Sequence, residues 1–275
     1  MIKVIISGFS GSMGKKAVKM VNDAENLQLV AGFNPVVTDL NPETYGLDKN
    51  VKIFNKLTDI KTDADIWIDF SIPSAVFENT KFAIEHDIRP VIGTSGMSEE
   101  QTGELKKLAD QKGLGGIIAS NFGLSAVLMM KFAQVAAKYF EESEIVEKHH
   151  EDKIDAPSGT ALNTARLIYQ ARGHDQVQHS SEDPLQTRGG DYHGTKIHAL
   201  RLPGFVADEE VIFGGIGETL TISQSTTDRQ SFMTGVKLAI NEVVKLDHLV
   251  IGLEQIIYKL FQKITKTLII YRVLY

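Results

Sequence analysis

Read from its amino end, the chain alternates short apolar runs with segments of helical periodicity. Ile2 to Ile6, Leu29 to Phe33, Ile66 to Phe70, Pro90 to Ile92 and Gly116 to Ala119 are rich in Val and Ile and read as strands. Between them, apolar side chains recur at helical spacing. Ala17, Val18 and Val21 do so after Gly14, and Val76, Phe77, Thr80 and Ile84 do so between Ser74 and His86. A third such stretch opens with Ser98 and Gln101, placed as a capping box, and continues to about Lys112. This alternation predicts βαβ units, and hence an α/β fold with a Rossmann-type, doubly wound parallel sheet.

The pattern changes after Asn121. Leu124 to Phe140 reads as a long helix with apolar residues on most sides (Leu128, Met129, Met130, Phe132, Val135), which predicts burial. A strand over Glu144 to His149, a Pro-Ser-Gly turn and a helix from about Thr160 follow, then a polar loop from His174 to Asp191. Thr195 to Leu202, Glu210 to Gly214 and Glu218 to Ser223 alternate with period two, predicting a meander of antiparallel strands with one wet face. Phe232 to Leu246 returns to helical spacing. The second region is therefore expected to be an α+β domain with a mixed or antiparallel sheet.

Composition narrows the possibilities. The 275 residues carry a net charge of −6, against the basic footprint of a nucleic-acid binder. There is no cysteine, which excludes disulfides, thiolate metal sites and a cysteine nucleophile. No apolar run reaches the roughly 20 residues of a membrane span, and the first residues read as a strand, so a cytoplasmic location is expected.

Candidate chemistry lies in two places. The first strand runs into Gly8-Phe9-Ser10-Gly11-Ser12-Met13-Gly14 before a helix. Such a loop lets main-chain N–H groups approach a pyrophosphate at the positive end of a helix, although a bare tight turn has the same glycines. The second strand ends in Asn34, neither the acid that bonds a ribose hydroxyl nor the Arg that meets a 2′-phosphate, so NADH and NADPH both stay open. Asp69-Phe70-Ser71 and Gly93-Thr94-Ser95-Gly96 end two further strands on the same edge.

The second place is Glu147-Lys148-His149-His150-Glu151-Asp152-Lys153-Ile154-Asp155-Ala156-Pro157-Ser158-Gly159-Thr160. Adjacent His149 and His150 on a strand point to opposite faces and make a poor chelating pair, so no metal is expected. If the extended form persists, His149 and Lys153 share a side. Ser158, Gly159 and Thr160 open a helix, where a ligand carboxylate fits; the plain alternative is an ordinary N-cap.

These residues resemble the dihydrodipicolinate reductase family. The HHxxKxDAPSGT run carries the resemblance, with the glycine loop, Asp69-Phe70-Ser71, Gly93-Thr94-Ser95-Gly96, Ser120-Asn121-Phe122, Arg201-Leu202-Pro203-Gly204 and Phe213-Gly214-Gly215 in order, over roughly residues 1 to 255. The resemblance implies reduction of a cyclic dicarboxylic imine by NADH or NADPH on the lysine and diaminopimelate route. It implies a cofactor held by Gly8, Phe9, Ser10, Gly11, Ser12, Met13, Gly93, Thr94, Ser95, Ala119, Ser120, Asn121 and Phe122; Phe70 lies on the same edge, and Asn34, by its place at the end of the second strand, is either a ribose contact or just a turn residue before Pro35. His149 and Lys153 would be proton donors, with His150, Ser158, Gly159 and Thr160 on the dicarboxylate substrate. It further implies a dinucleotide-binding domain over 1–122, completed by 232–275, a substrate and oligomerisation domain over 123–231, and a homotetramer without nucleic-acid or membrane partners. Asp208 and Gln224 stand where many members carry histidine, and the tail 261–275 has no counterpart. The competing readings are another nicotinamide-dependent amino- or oxo-acid dehydrogenase, or a non-catalytic NAD(P)-binding sensor.

Overall fold

Val4, Ile5, Ile6, Ile66, Trp67 and Ile68 are fully buried. Runs that are apolar at consecutive positions bury both faces, which suits the middle of a parallel sheet under helices. They lie in β1 (Ile2–Ser7) and β4 (Ile66–Asp69), with β2 (Leu27–Phe33), β3 (Lys52–Phe54), β5 (Arg89–Ile92), β6 (Gly116–Ile118) and β12 (Leu249–Ile251) beside them. Every pairing is parallel, in the order β12-β6-β5-β4-β1-β2-β3. Strand order reverses beside β1, and ligands of such sheets bind outside the carboxyl ends of the strands at that point. The computed structural model describes residues 1–177, 182–185 and 187–258. This sheet belongs to a unit of Met1–Phe122 with the described residues from Phe232 onward; Gly123–Ser231 form a second unit.

Helices α1 (Ser12–Asn22), α2 (Val76–Glu85), α3 (Glu99–Lys112) and α6 (Phe232–Val243) cover the sheet. Ile5, Phe33, Trp67, Val76 and Ile92 pack in one core cluster, and Ile84, Leu105, Leu114 and Leu249 in another. The expected capping box starts α3: Gln101 N–H donates to Ser98 Oγ (3.1 Å) and Ser98 N–H donates to Gln101 Oε1 (2.9 Å). α6 passes so close to the end of the first segment that a Cβ on Gly235 would stand 2.0 Å from the Phe122 carbonyl oxygen. β3 and β12, three residues each, carry too few positions to show a period and were not foreseen.

In the second unit, α4 (Leu124–Ala136), β7 (Glu142–His149), α5 (Gly159–Arg172), β8 (Gly190–Tyr192), β9 (Thr195–Arg201), β10 (Ala207–Gly215) and β11 (Glu218–Thr226) form a five-stranded mixed sheet under helices. Its order is β11-β10-β7-β9-β8. The expected meander is corrected: β7 lies between β9 and β10, parallel to the first and antiparallel to the second. Alternation along a strand gives its faces but not its neighbours. β8 closes what reads as a polar loop. α4 stops at Ala136, short of Phe140, and is not buried all round, since Phe132 and Val135 are 48% and 46% exposed. The tail 261–275 lies outside the described residues.

Candidate active site

At the carboxyl ends of β1, β2, β4 and β5, the main chain closes into a cradle. Gly8 takes φ +73°, and a Cβ there would stand 2.3 Å from the Phe70 carbonyl oxygen. A Cβ on Gly14 would stand 2.0 Å from the Gly8 carbonyl oxygen. Only glycine allows both approaches. Gly11 precedes α1 without a capping side chain, and Ser12 and Met13 form its first turn. A small cradle at an uncapped helix start fits the pyrophosphate of a nicotinamide dinucleotide. Asn34 shapes the turn before Pro35, its Oδ1 accepting from Val36 N–H (3.2 Å), and its Nδ2 also donates to Ser10 Oγ of the glycine loop (2.8 Å).

A buried carboxylate, to which the sequence pattern alone assigns no role, holds the next two loops. Asp69 is fully buried at the end of β4. Its Oδ1 accepts from Ser71 Oγ (2.6 Å), Ser71 N–H (3.0 Å) and Thr94 Oγ1 (2.8 Å), and its Oδ2 from Asn79 Nδ2 (3.0 Å). The Thr94 hydroxyl is thus committed to the fold. The Phe70 ring lies where a Cβ of Gly93 would be, 2.3 Å from its Cε1. Phe9, Ala119 and Phe122 are buried, so what they offer a ligand is main chain, whereas Ser12, Ser95 and Ser120 are exposed.

The His-Lys segment is organised by Glu147. Period two along β7 puts Glu147 and His149 on one face, and Glu147 is fully buried. Arg201, at the end of β9, donates to both of its oxygens, from Nη1 to Oε2 (2.8 Å) and from Nη2 to Oε1 (2.7 Å). Ser158 N–H donates to Oε1 (3.1 Å), and His149 Nδ1 lies 2.5 Å from Oε2. A carboxylate only accepts, so Nδ1 carries the proton and Nε2 is the atom left for a ligand.

Charges follow from these contacts. Burial works to raise the Glu147 carboxyl, but Arg201, His149 and Ser158 together outweigh it and hold it below the ordinary carboxylate range. Burial lowers His149, and the charges of Lys153 and Arg201 add to that against the raising effect of Glu147. Its neutral form is therefore favoured.

Beyond His149 the strand does not continue as an extended run. Lys153 N–H donates to the His150 carbonyl oxygen (3.2 Å), so a turn rather than strand alternation places Lys153. Its Nζ donates to Asp155 Oδ1 (2.6 Å). Ser158 does cap α5, its Oγ accepting from Ala161 N–H (3.1 Å). With its N–H on Glu147 and its Oγ on the cap, Ser158 shapes the site, while Gly159 and Thr160 form the first turn of α5. Glu147 and Arg201 went unassigned in the sequence reading. The signal for Glu147 is its position two before His149; Arg201 stands in the Arg201-Leu202-Pro203-Gly204 motif, but only the β7–β9 pairing shows that it reaches Glu147.

Two domain families match by sequence: "Dihydrodipicolinate reductase, N-terminus" over residues 2–122 and "Dihydrodipicolinate reductase, C-terminus" over residues 125–257. The chain is 55% identical over 257 residues to a 4-hydroxy-tetrahydrodipicolinate reductase of Lactobacillus helveticus, covering 93% of this chain and 98% of that one. It is 52% identical over 259 residues to one from Limosilactobacillus fermentum, covering 94% and 100%. A dipicolinate-bound dihydrodipicolinate reductase from Paenisporosarcina sp. TG-14 superposes with a TM-score of 0.84 at 40% identity, covering 93% of this chain and 99% of that one.

Proposed function

The chain belongs to the dihydrodipicolinate reductase family and is an NAD(P)H-dependent oxidoreductase, and from that premise we propose how its residues divide the work of reducing the cyclic imine to tetrahydrodipicolinate. The carrying observation is the Glu147–His149–Arg201 cluster beside Lys153 and the start of α5. It gathers cationic and neutral donors on one face of an acidic protein, which suits a dianionic substrate.

Main-chain groups of Gly8 to Met13 hold the dinucleotide, with Asn34 and Ser10 at the ribose and Phe70, Gly93 to Ser95 and Ala119 to Phe122 along its length. When bound, the reduced cofactor supplies the hydride. Gly159 and Thr160 receive one substrate carboxylate and His150 contacts the ring. Lys153 is the resident cation. It leaves Asp155 for the substrate and supplies the proton that the reduced ring must take up. His149, oriented through Nδ1, presents Nε2 to the same ligand; the dianion raises its hold on a proton and makes it the alternative donor of that single proton. Such positioned transfer contributes about 10²–10⁴-fold. The enzyme acts as a homotetramer in the cytoplasm, with either NADH or NADPH.

The test generates the imine in place from pyruvate and aspartate semialdehyde with a synthase and follows loss of reduced-nicotinamide absorbance, with each cofactor run separately. Oxidation that requires the synthase is expected. Binding of both cofactors without oxidation would sink the reading.

A further inference from the structure

One buried acid on the site face has no part in the mechanism above. Glu209 lies on β10, 1% exposed, directly opposite Glu147 in the antiparallel register. Register partners point to the same side, with Cβ atoms about 4.5–5.5 Å apart, so two carboxyl groups sit side by side in the sheet. Arg201, His149 and the Ser158 N–H all serve Glu147. Glu209 has Thr164 of α5, whose Oγ1 lies 2.6 Å from its Oε1. That same Oγ1 is 3.0 Å from the Thr160 carbonyl oxygen. A hydroxyl has one proton and cannot donate to both acceptors. Both contacts are satisfied when Glu209 carries a proton and donates it to Thr164, which then donates to Thr160.

We propose that Glu209 is a positioning residue for the reaction: as a neutral carboxyl it leaves Glu147 the single anion beside His149, and loss of its proton makes that charge a pair and strengthens the hold of His149 on its own proton. The inference rests on the proposed role of His149. Among the described residues, Glu209 also stands opposite Gln224 on β11, whose Oε1 accepts from Ser125 of α4 (3.2 Å). Neither carries a charge. Asp208 and Glu210 alternate to the other face, where Glu210 is paired with Lys148 (2.5 Å). Burial pushes the Glu209 carboxyl up to about 7, against the lowering effect of a Thr164 hydroxyl that donates to the ionised form and with the neighbouring Glu147 charge adding to the rise. As pH rises, Glu209 gives up its proton and His149 keeps one longer than it otherwise would.

Two measurements test this. The first is the imidazole titration of His149 by NMR in the ligand-free protein, which needs no turnover. Two inflections are expected in the wild type, one belonging to the ring and one near pH 7, and Glu209→Gln should lose the second. The second compares kcat/KM for imine reduction at pH 8 and pH 6. The ratio should fall ~3- to 10-fold in Glu209→Gln, as expected for removing a nearby charge. Glu209→Asp should restore part of it. A single His149 inflection in the wild type, or identical ratios in wild type and Glu209→Gln, would overturn the inference. If Glu209→Gln does not fold, the wild-type titration decides alone. If the wild type fails to turn over imine, the functional reading falls while the titration still decides the coupling.

Discussion

Replacing Glu147 by Gln tests the centre of the site. Four donors converge on its two oxygens: two from Arg201, one from His149 and one from Ser158. An amide has one acceptor oxygen, and its NH2 would face at least one of these donors. The side chain of Glu147 is fully buried and that of Arg201 is 18% exposed, so little water reaches the pair. Breaking such a pair costs about 3–5 kcal/mol. The partial exposure of Arg201 favours the low end, and at about 3 kcal/mol the 275-residue chain, unfolding as a whole, loses roughly 6–12 °C in Tm. The pH dependence gives the signature. The folded Glu147 carboxyl sits below its unfolded value, so its stabilisation is complete above the unfolded range and is lost as pH falls through the folded value. The Tm gap between wild type and Glu147→Gln should be full at neutral pH and close in acid. Turnover should fall about 10²–10⁴-fold as His149 loses its orientation. Thermal melts across pH, read beside the nicotinamide assay, check both effects. An unchanged Tm at neutral pH, or a gap that persists in acid, would refute the reasoning.

Further predictions concern single groups. Lys153→Ala and His149→Ala should lower turnover far more than cofactor affinity, which calorimetric titration of NADH and NADPH separates from rate; equal loss of binding would overturn the role assignment. Gly8→Ala should weaken cofactor binding at least tenfold and lower Tm, because its Cβ meets the Phe70 carbonyl oxygen and the backbone is at positive φ. Ser158→Ala removes the cap of α5 and should cost about 1 kcal/mol by chemical denaturation. In that variant the main-chain bond to Glu147 remains, so a turnover loss as large as that of Glu147→Gln would refute the division between cap and anchor.

Much of the first unit was legible because consecutive apolar residues and helical spacing are local signals. Ser98 and Gln101 announced the start of α3 from side-chain chemistry alone. What escaped was set by pairing between distant segments. The placement of β7 between β9 and β10 is invisible in any one strand, and that placement brings Arg201 and Glu209 to the two sides of Glu147. The HHxxKxDAPSGT run marks the candidate site, and Ser158 lies at the helix start that the pattern predicts. Its two polar groups nevertheless serve Ala161 and Glu147, because a cap is satisfied locally before any ligand arrives. Phe132 and Val135 show the converse error, in which an apolar composition was taken for burial.

The close approach of Gly235 to the Phe122 carbonyl oxygen bears on how the chain is assembled. It brings the point where the polypeptide leaves the parallel-sheet unit next to the point where it returns. The intervening residues therefore form a single excursion from a frame whose cut ends already adjoin. Such a frame can accept a different excursion without opening its own sheet. One parallel-sheet scaffold can in this way carry interchangeable inserted modules, and new properties can arise by exchange at a pair of neighbouring joints instead of by rebuilding a core.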